Sequence, residues 1–138
     1  MDPSPGEPRT WLVDGFNVLN VALLRGESRR EFWRAEARDR LLALADALAG
    51  SAGPDAPEVV VVFDGQHAAP PEDAHAARRV FAASADAWLL RAVREAPDPG
   101  AVAVVTADRQ LADRARHRGA RVVQPTDFVD RCRALAPT

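Results

Sequence analysis

The chain has 138 residues, 47% hydrophobic and 28% charged, which is typical of one globular domain and excludes a disordered or fibrous protein. Its net charge of −2 provides no overall basic charge for binding nucleic acids, although all 18 lysine or arginine positions hold arginine. Cys132 is the single cysteine, which excludes an internal disulfide and a multi-cysteine zinc site. The sequence contains neither a membrane-length apolar run nor a secretory signal, so we expect a cytoplasmic protein that contacts no membrane.

Short apolar runs alternate with longer helical patterns along the chain. Residues 1–8 contain three prolines and no core-forming side chain, so we expect a disordered tail before a domain at 9–138. In the first half of the chain, the patterns predict a strand at 11–13, a helix from a capping box at Ser28 to about Ala49, and strands at 59–63 and 79–81. In the second half, they predict a helix capped by Ser84 and ending at Glu95, and a strand at 101–105. A helix at about 109–118, a strand at 121–123 and a helix capped by Thr126 complete the prediction. This order predicts an α/β fold, a single domain with a mostly parallel sheet flanked by helices.

Aspartates follow the predicted strands. Asp14 and Asp64 come directly after the first two, Asp108 lies just beyond the fourth, and Asp86 lies in the first turn of the helix after the third. In open α/β sheets, ligands bind outside the carboxyl ends of the strands. Parallel strands therefore bring the four aspartates to one edge of the sheet.

Each aspartate also has a purely structural explanation. Asp-Gly is a common turn pair, which accounts for Asp14 and Asp64, while Asp86 and Asp108 suit the start of a helix. Four gathered carboxylates, however, repel one another unless a cation is bound. Hard oxygen ligands suit Mg²⁺ or Mn²⁺, and such ions activate water for attack on phosphate esters. The set as a whole predicts phosphoryl chemistry.

Three neighbouring residues have alternative roles that the sequence leaves open. Asn17, expected in a loop, would position a phosphate oxygen, hold Asp14, or act only as a turn residue. Thr106 would bond a carboxylate or a substrate phosphate, or simply end a strand. Phe16 would stack on a base or pack beneath its loop.

Four short segments resemble, in order, the motifs of the NYN domains of the PIN-like ribonuclease superfamily. They are Asp14-Gly-Phe-Asn17, Val-Val-Phe-Asp64-Gly65, Ser84-Ala-Asp86 and Val-Thr106-Ala-Asp108. The closest likeness is to the bacterial YacP-like branch, and it covers roughly Thr10 to Val129. The resemblance implies a Rossmann-like sheet, a site for divalent Mg²⁺ or Mn²⁺, and endonucleolytic cleavage of RNA.

The resemblance also implies individual roles for the residues that match the motifs. Asp14, Asp86 and Asp108 would be the principal metal-binding and catalytic carboxylates. Asp64 would be a further ligand or an outer-shell residue, and Asn17 a supporting polar residue. Two departures from the family concern how substrate is handled: position 16 holds phenylalanine where the family often has tyrosine, and the loop at 66–77 is short for the YacP-like branch.

Arginines near the end of the chain are candidates for the RNA contact. Five of them lie between positions 109 and 121, with Asp113 as the one opposing charge in that stretch. An earlier set between positions 25 and 40 is interleaved with acidic residues and is typical of a solvated helix face. The predicted RNA-binding residues are Arg109, Arg114, Arg118, Thr106 and Ser84.

The sequence therefore predicts a divalent-metal-dependent endoribonuclease that hydrolyses RNA phosphodiesters. One alternative is a non-catalytic RNA- or ribosome-binding module of the same fold. The other is a small phosphatase, which is disfavoured because the sequence lacks a Gly-rich phosphate loop. RNA is the expected partner, with the ribosome, a protein that presents the RNA, and a homodimer left open.

Overall fold

In the computed structural model of the chain, the described residues are 7–23, 35–50, 56–65 and 76–135. The strands are β1 (Thr10–Asp14), β2 (Glu58–Asp64), β3 (Arg78–Ala82), β4 (Val102–Val105) and β5 (Arg121–Val123). The helices are α1 (Gly15–Val18), α2 (Ala35–Ala49), α3 (Ala85–Glu95), α4 (Arg109–His117) and α5 (Pro125–Leu135). A π-helical turn at Leu19–Leu23 follows α1, and a 3-10 turn at Pro99–Ala101 precedes β4.

The five strands form one sheet in the order β3-β2-β1-β4-β5, and every described pair is parallel. This confirms the expected α/β fold. From β1 the chain builds the sheet first towards β2 and β3, and afterwards on the other side through β4 and β5. The strand order therefore reverses between β1 and β4, and the crevice at their carboxyl ends is where open α/β sheets bind ligands.

Both faces of the sheet are covered, which explains why β2 and β4 are uninterrupted apolar runs. Alternate side chains of a strand point to opposite faces, so Val59, Val61 and Phe63 pack into one core cluster with α2 and α5. Val60 and Val62 pack into the other cluster with α3 and α4. The carboxyl ends of the strands therefore lie at the edge of a sheet that is packed on both faces.

Two expectations about local structure were wrong. Asn17 lies in α1 and not in a loop, because the chain turns into a helix immediately after β1. Thr126 lies inside α5 and does not cap it, because that helix begins at Pro125, and the fixed φ of proline suits a first helical turn. The capping box predicted at Ser28 lies outside the described residues.

The predicted capping of α3 by Ser84 is confirmed, and two further residues have clear structural roles. The Ser84 hydroxyl accepts a hydrogen bond from the Ala87 amide at 3.1 Å and caps α3. Gly119 ends the turn after α4 with a φ of 97°, a conformation that favours glycine. Cys132 is buried in the core, and desolvation raises the pKa of its thiol to about 12, so it is a structural residue.

The N-terminal end of the described chain is attached to α5. Glu7 forms an ion pair with Arg131, whose guanidinium also lies 5.2 Å from the centre of the Trp11 ring. Trp11 in turn packs against Phe128 with 5.8 Å between the ring centres. No helix in the described part of the chain has both the length and the apolar character needed to cross a membrane.

Candidate active site

Asp14 is the central residue of the carboxyl edge. It ends β1 beside β4 and is only 7% exposed. One of its carboxylate oxygens, Oδ2, accepts a hydrogen bond from the Thr106 hydroxyl at 3.1 Å. Asp14 is thus a buried acid at the point where the strand order reverses.

Thr106 connects Asp14 to the loop that carries Asp108. Its side chain is fully buried, and its hydroxyl accepts a hydrogen bond from the Asp108 amide at 3.1 Å while donating to Asp14. Of the alternatives that the sequence left open for Thr106, the structure shows the bond to a carboxylate. Because the Thr106 hydroxyl both donates and accepts a hydrogen bond, it links the carboxylate of Asp14 to the backbone of Asp108.

Asn17 fixes the same loop from the opposite side. Its side-chain oxygen accepts a hydrogen bond from the Ala107 amide at 2.7 Å, which ties α1 to the segment between β4 and α4. The sequence offered no signal for this contact, because the two residues are 90 positions apart. The first and fourth strand ends are therefore linked by two side-chain hydrogen bonds.

Asp108 and Asp64 have structural contacts as well as free carboxylate oxygens. Oδ1 of Asp108 accepts hydrogen bonds from the amides of Gln110 at 2.9 Å and Leu111 at 3.2 Å, so it caps α4. Oδ1 of Asp64 accepts one from the Ala85 amide at 2.7 Å, joining β2 to the start of α3. Within the described residues neither Oδ2 atom accepts a hydrogen bond, so each carboxylate keeps one oxygen for a further ligand.

Asp14 lies close enough to the other three aspartates for their charges to affect its ionisation. Its pKa is raised from 3.8 to about 7, chiefly by burial and also by the carboxylates of Asp86, Asp64 and Asp108, while the hydrogen bond from the Thr106 hydroxyl opposes the rise. Partial desolvation, followed by the carboxylates of Asp108 and Asp64, raises the pKa of Asp86. The structure therefore brings together all four aspartates singled out in the sequence, at a site that disfavours the negative charge of Asp14 and Asp86.

Among the described residues, an arginine acts on this cluster. Arg114 of α4 lowers the pKa of Asp86 and so counters part of the repulsion. It lies six residues beyond Asp108 along α4, with its side chain exposed at the surface. Arg114 therefore offsets part of the negative charge at Asp86.

The donor set fits a divalent cation with an open coordination shell. Within the described ranges, no three His, Cys, Asp or Glu side chains are grouped closely enough to hold a metal ion as they stand. Mg²⁺ is nevertheless usually held by one or two carboxylates, with waters completing its shell. Asp64 and Asp108 each have one carboxylate oxygen without a hydrogen-bond partner among the described residues, and such oxygens beside the crowded carboxylates of Asp14 and Asp86 provide the chemistry that such an ion needs.

The arginines between positions 109 and 121 do not form one surface. Arg109 and Arg116 line a groove of about 330 Å³ beside Thr106 and Gln124, whereas Arg114 and Arg118 line one of about 430 Å³ on the α3 side of α4. The Nε of Arg121 donates a hydrogen bond to the Gly100 carbonyl at 2.9 Å.

Two further candidates have structural roles at this edge. Phe16 is half-buried, with its ring centre 5.2 Å from that of Phe63, so it packs against the core beneath the site. Ser84 uses its hydroxyl to cap α3. His67 and His75, which have no metal-ligand spacing in the sequence, lie outside the described residues.

A parallel sheet in this strand order, with carboxylates at its switch point, defines a Rossmann-like α/β domain with an acidic site. The model of the YacP-like NYN domain family matches residues 11–136, so the chain belongs to that family. NYN domains are generally ribonucleases, usually with divalent metals, which places the chain in a nuclease-type, RNA-acting family.

Two solved structures share this fold. The crystal structure of Rae1 (YacP) from Bacillus subtilis as a W164L mutant has a TM-score of 0.72 and 21% sequence identity, covering 91% of this chain and 76% of that one. The crystal structure of Rae1 (YacP) from Bacillus subtilis has a TM-score of 0.68 and 22% identity, covering 91% and 74%. No curated protein sequence matches the chain significantly.

Proposed function

We propose that this chain is a divalent-metal-dependent endoribonuclease that hydrolyses RNA phosphodiesters. The observation that carries the proposal is the buried carboxylate of Asp14, whose pKa is raised to about 7 among three other aspartates at the switch point. Asp64 and Asp108 also have structural contacts, but four carboxylates gathered at one edge repel one another, and this repulsion costs stability unless a cation is bound. A bound divalent cation removes that cost.

In this proposal, Asp14, Asp86 and Asp108 hold one or two Mg²⁺ or Mn²⁺ ions, and Asp64 contributes a further or outer-shell oxygen. When bound, such an ion would polarise the phosphate of the substrate and lower the pKa of a water molecule bound to the ion. Thr106 and Asn17 act through other groups. Thr106 fixes the carboxylate of Asp14, and Asn17 fixes the loop that carries Asp108. The carboxylates of Asp14 and Asp108 therefore stay in position during turnover.

RNA is the proposed substrate because the family is RNA-acting and because arginines flank the acidic edge. Arg109, Arg114 and Arg118 are the proposed phosphate contacts. The Ser84 side chain stays a candidate contact on the opposite side of the crevice. A cytoplasmic location, a ribosome or other partner that presents the RNA, and a homodimer remain parts of the proposal that rest on the sequence alone.

The proposal is tested by cleavage of end-labelled single-stranded RNA with Mn²⁺ or Mg²⁺. The wild type should cut in the presence of metal and stop with a chelator, and Asp14→Asn and Asp108→Asn should each abolish cutting. Asp130→Asn is the matched control, because Asp130 is an exposed aspartate on α5, a helix that packs in the cluster with Trp11 and Phe128, away from α3 and α4. Full activity in both site variants would contradict the site assignment.

Other outcomes of the same assay separate the alternative functions. RNA binding with marked salt dependence but no cutting by the wild type would favour a non-catalytic RNA- or ribosome-binding module. Hydrolysis of a small phosphate ester, with RNA left intact, would favour a phosphatase.

A further inference from the structure

The groove between α3 and α4 leads away from the acidic cluster. Its lining consists of Leu90 on α3 and of Asp113, Arg114, His117 and Arg118 on α4 and its C-terminal turn, around about 430 Å³. Leu90 lies one helical turn after Asp86, so the same face of α3 carries a candidate metal ligand and then the groove wall. One wall of the groove therefore lies on the face of α3 that carries Asp86.

The cations of this groove are spaced along its length. With a rise of about 1.5 Å per helical residue, Arg114 lies about 9 Å and Arg118 about 15 Å from Asp108 along α4. Both side chains are exposed, and within the described residues neither guanidinium donates a hydrogen bond. Arg114 also acts electrostatically on Asp86, so its charge lies at the junction of the groove and the cluster.

The second groove, on the other side of α4, is less suited to a phosphate chain. Asp113 lines both grooves, but its carboxylate lies 3.5 Å from Arg116, one of the two arginines of the second groove, and offsets part of that arginine's charge. In the α3–α4 groove, the two arginines stand beside the apolar side chain of Leu90, which offers a surface to a ribose or base. Positive charge next to apolar surface is the combination that binds single-stranded nucleic acid.

We propose that the α3–α4 groove binds the single-stranded RNA on one side of the bond to be cut, with Arg114 and Arg118 each holding a backbone phosphate. This inference rests on the proposed function, since it names the path by which the substrate of that site lies on the protein. In this arrangement, Arg114 binds the phosphate nearer the aspartates, and Arg118 binds a phosphate farther along the RNA.

The test compares two double variants with the same change in charge. Arg114→Gln/Arg118→Gln removes the arginines of the α3–α4 groove, and Arg40→Gln/Arg133→Gln removes two exposed arginines of α2 and α5, which cover the opposite face of the sheet. Binding of a fluorescein-labelled single-stranded RNA is measured by anisotropy in EDTA over a range of salt concentrations. KM for cleavage is measured separately with Mn²⁺.

The first double variant should bind RNA at least about tenfold more weakly than the wild type, because two charge-assisted contacts are lost. Its slope of log K against log salt should become shallower by about 1.4, about 0.7 for each phosphate contact. KM should rise by a similar factor, whereas the second double variant should stay within about threefold of the wild type. The melting temperature of each variant serves as the control for folding, and replacing exposed side chains should hardly change it.

The groove assignment is overturned if the first double variant keeps the affinity and salt slope of the wild type, or if the second loses more. It is also overturned if the wild type does not bind single-stranded RNA at all. Loss of binding in the first double variant, with no cutting by the wild type in Mn²⁺, contradicts the nuclease proposal and supports the groove. The two failures are therefore distinguishable.

Discussion

Asp14 determines how the acidic edge responds to pH. Burial and three neighbouring carboxylates raise its pKa from 3.8 to about 7 in the folded chain, while the unfolded chain keeps the ordinary value. Between those two pH values, the folded state holds a proton that the unfolded state has lost. The stability that the protonated group contributes is full below about pH 4 and is lost as the pH rises towards 7.

Replacing Asp14 by a group that does not titrate should remove this loss. In a chelating buffer, the free energy of unfolding of Asp14→Asn, relative to the wild type, should increase between about pH 4 and 7 and level off above it. The increase in the free energy of unfolding should be at most about 4 kcal/mol, because each unit of the Asp14 pKa change corresponds to about 1.4 kcal/mol. Urea denaturation at pH 5 and pH 8 measures the difference.

The comparison of the variant with the wild type cancels the titrating groups that do not interact with Asp14, so the pH dependence of the difference belongs to Asp14 and the three carboxylates beside it. Asp130→Asn, an exposed aspartate, should show no such dependence. A difference between Asp14→Asn and wild type that is the same at both pH values would contradict the burial of an ionisable Asp14.

Thr106 is the residue on which the position of Asp14 depends. Thr106→Val keeps the shape of the side chain but removes the hydroxyl that donates to Asp14 and accepts from the Asp108 amide. We expect a decrease of about 10- to 100-fold in metal-dependent cleavage, as is usual for residues that orient metal ligands. Initial cleavage rates over a Mn²⁺ titration measure the effect.

A serine at position 106 is the matched control. Thr106→Ser keeps the hydroxyl and should recover most of the activity and of the apparent Mn²⁺ affinity that valine loses. If valine and serine reduced both equally, the methyl group and not the hydroxyl would be the important feature, and the positioning role would be wrong.

At this scale the sequence supplied the residue types but not the contacts. The aspartates could be singled out because each follows an apolar run and because parallel strands end at one edge. The bond from Thr106 to Asp14 joins residues 92 positions apart, and it exists because β1 and β4 are neighbours. No local pattern reports that adjacency, so three roles for Thr106 remained open until the strand order was known.

At the scale of elements, α1 places the first aspartate motif against the sheet. Its first residue, Gly15, approaches the core so closely that a Cβ atom there would lie 2.5 Å from the Phe63 ring and 2.9 Å from the Val62 carbonyl oxygen. The close approach allows the chain to leave β1 directly into a helix. Asn17 is thereby held next to the Ala107 amide.

Gly15→Ala should therefore destabilise the protein and disturb the site together. Forcing a methyl group into this contact should cost about 1–3 kcal/mol in the free energy of unfolding, since backbone and ring must both shift. Urea denaturation gives the cost, and RNA cleavage at a temperature where the variant is folded gives the effect on the site.

Gly50→Ala is the control for a general effect of replacing glycine. A Cβ at Gly50 would meet one backbone oxygen at 3.3 Å, a much milder contact, so the loss of stability should be clearly smaller. Equal losses in the two variants would show that the packing of α1 on β2 is not the cause.

The sequence predicted long elements better than short ones. The β2 run and the periodic pattern of α4 are strong signals, because they reflect burial on two faces or on one stripe. In contrast, α1 has only four residues and contains glycine and asparagine, which favour turns, so its helix depends on packing against Phe63 and on the Asn17 contact. The start of α5 was misplaced by a residue or two because threonine and proline both suit a first turn.

At the scale of the whole molecule, the order of the strands explains the location of the chemistry. One switch point in a five-stranded parallel sheet creates one crevice, and the four aspartates, Thr106 and Asn17 surround it. The sequence predicted the alternation of strands and helices, but not which strands are neighbours, because that order is fixed by long-range packing. The basic groove between α3 and α4 likewise appears only once the two helices are side by side.

The measurement that tests the account most directly is the initial rate of cleavage of end-labelled single-stranded RNA, with and without Mn²⁺, for the wild type and Asp14→Asn. The account predicts cutting by the wild type only with metal, and a decrease of about 100-fold or more in the variant, since a ligand should matter at least as much as the residues that orient it. Cutting that continues in a chelator, or a variant as fast as the wild type, would contradict a metal-dependent nuclease site at the aspartate cluster.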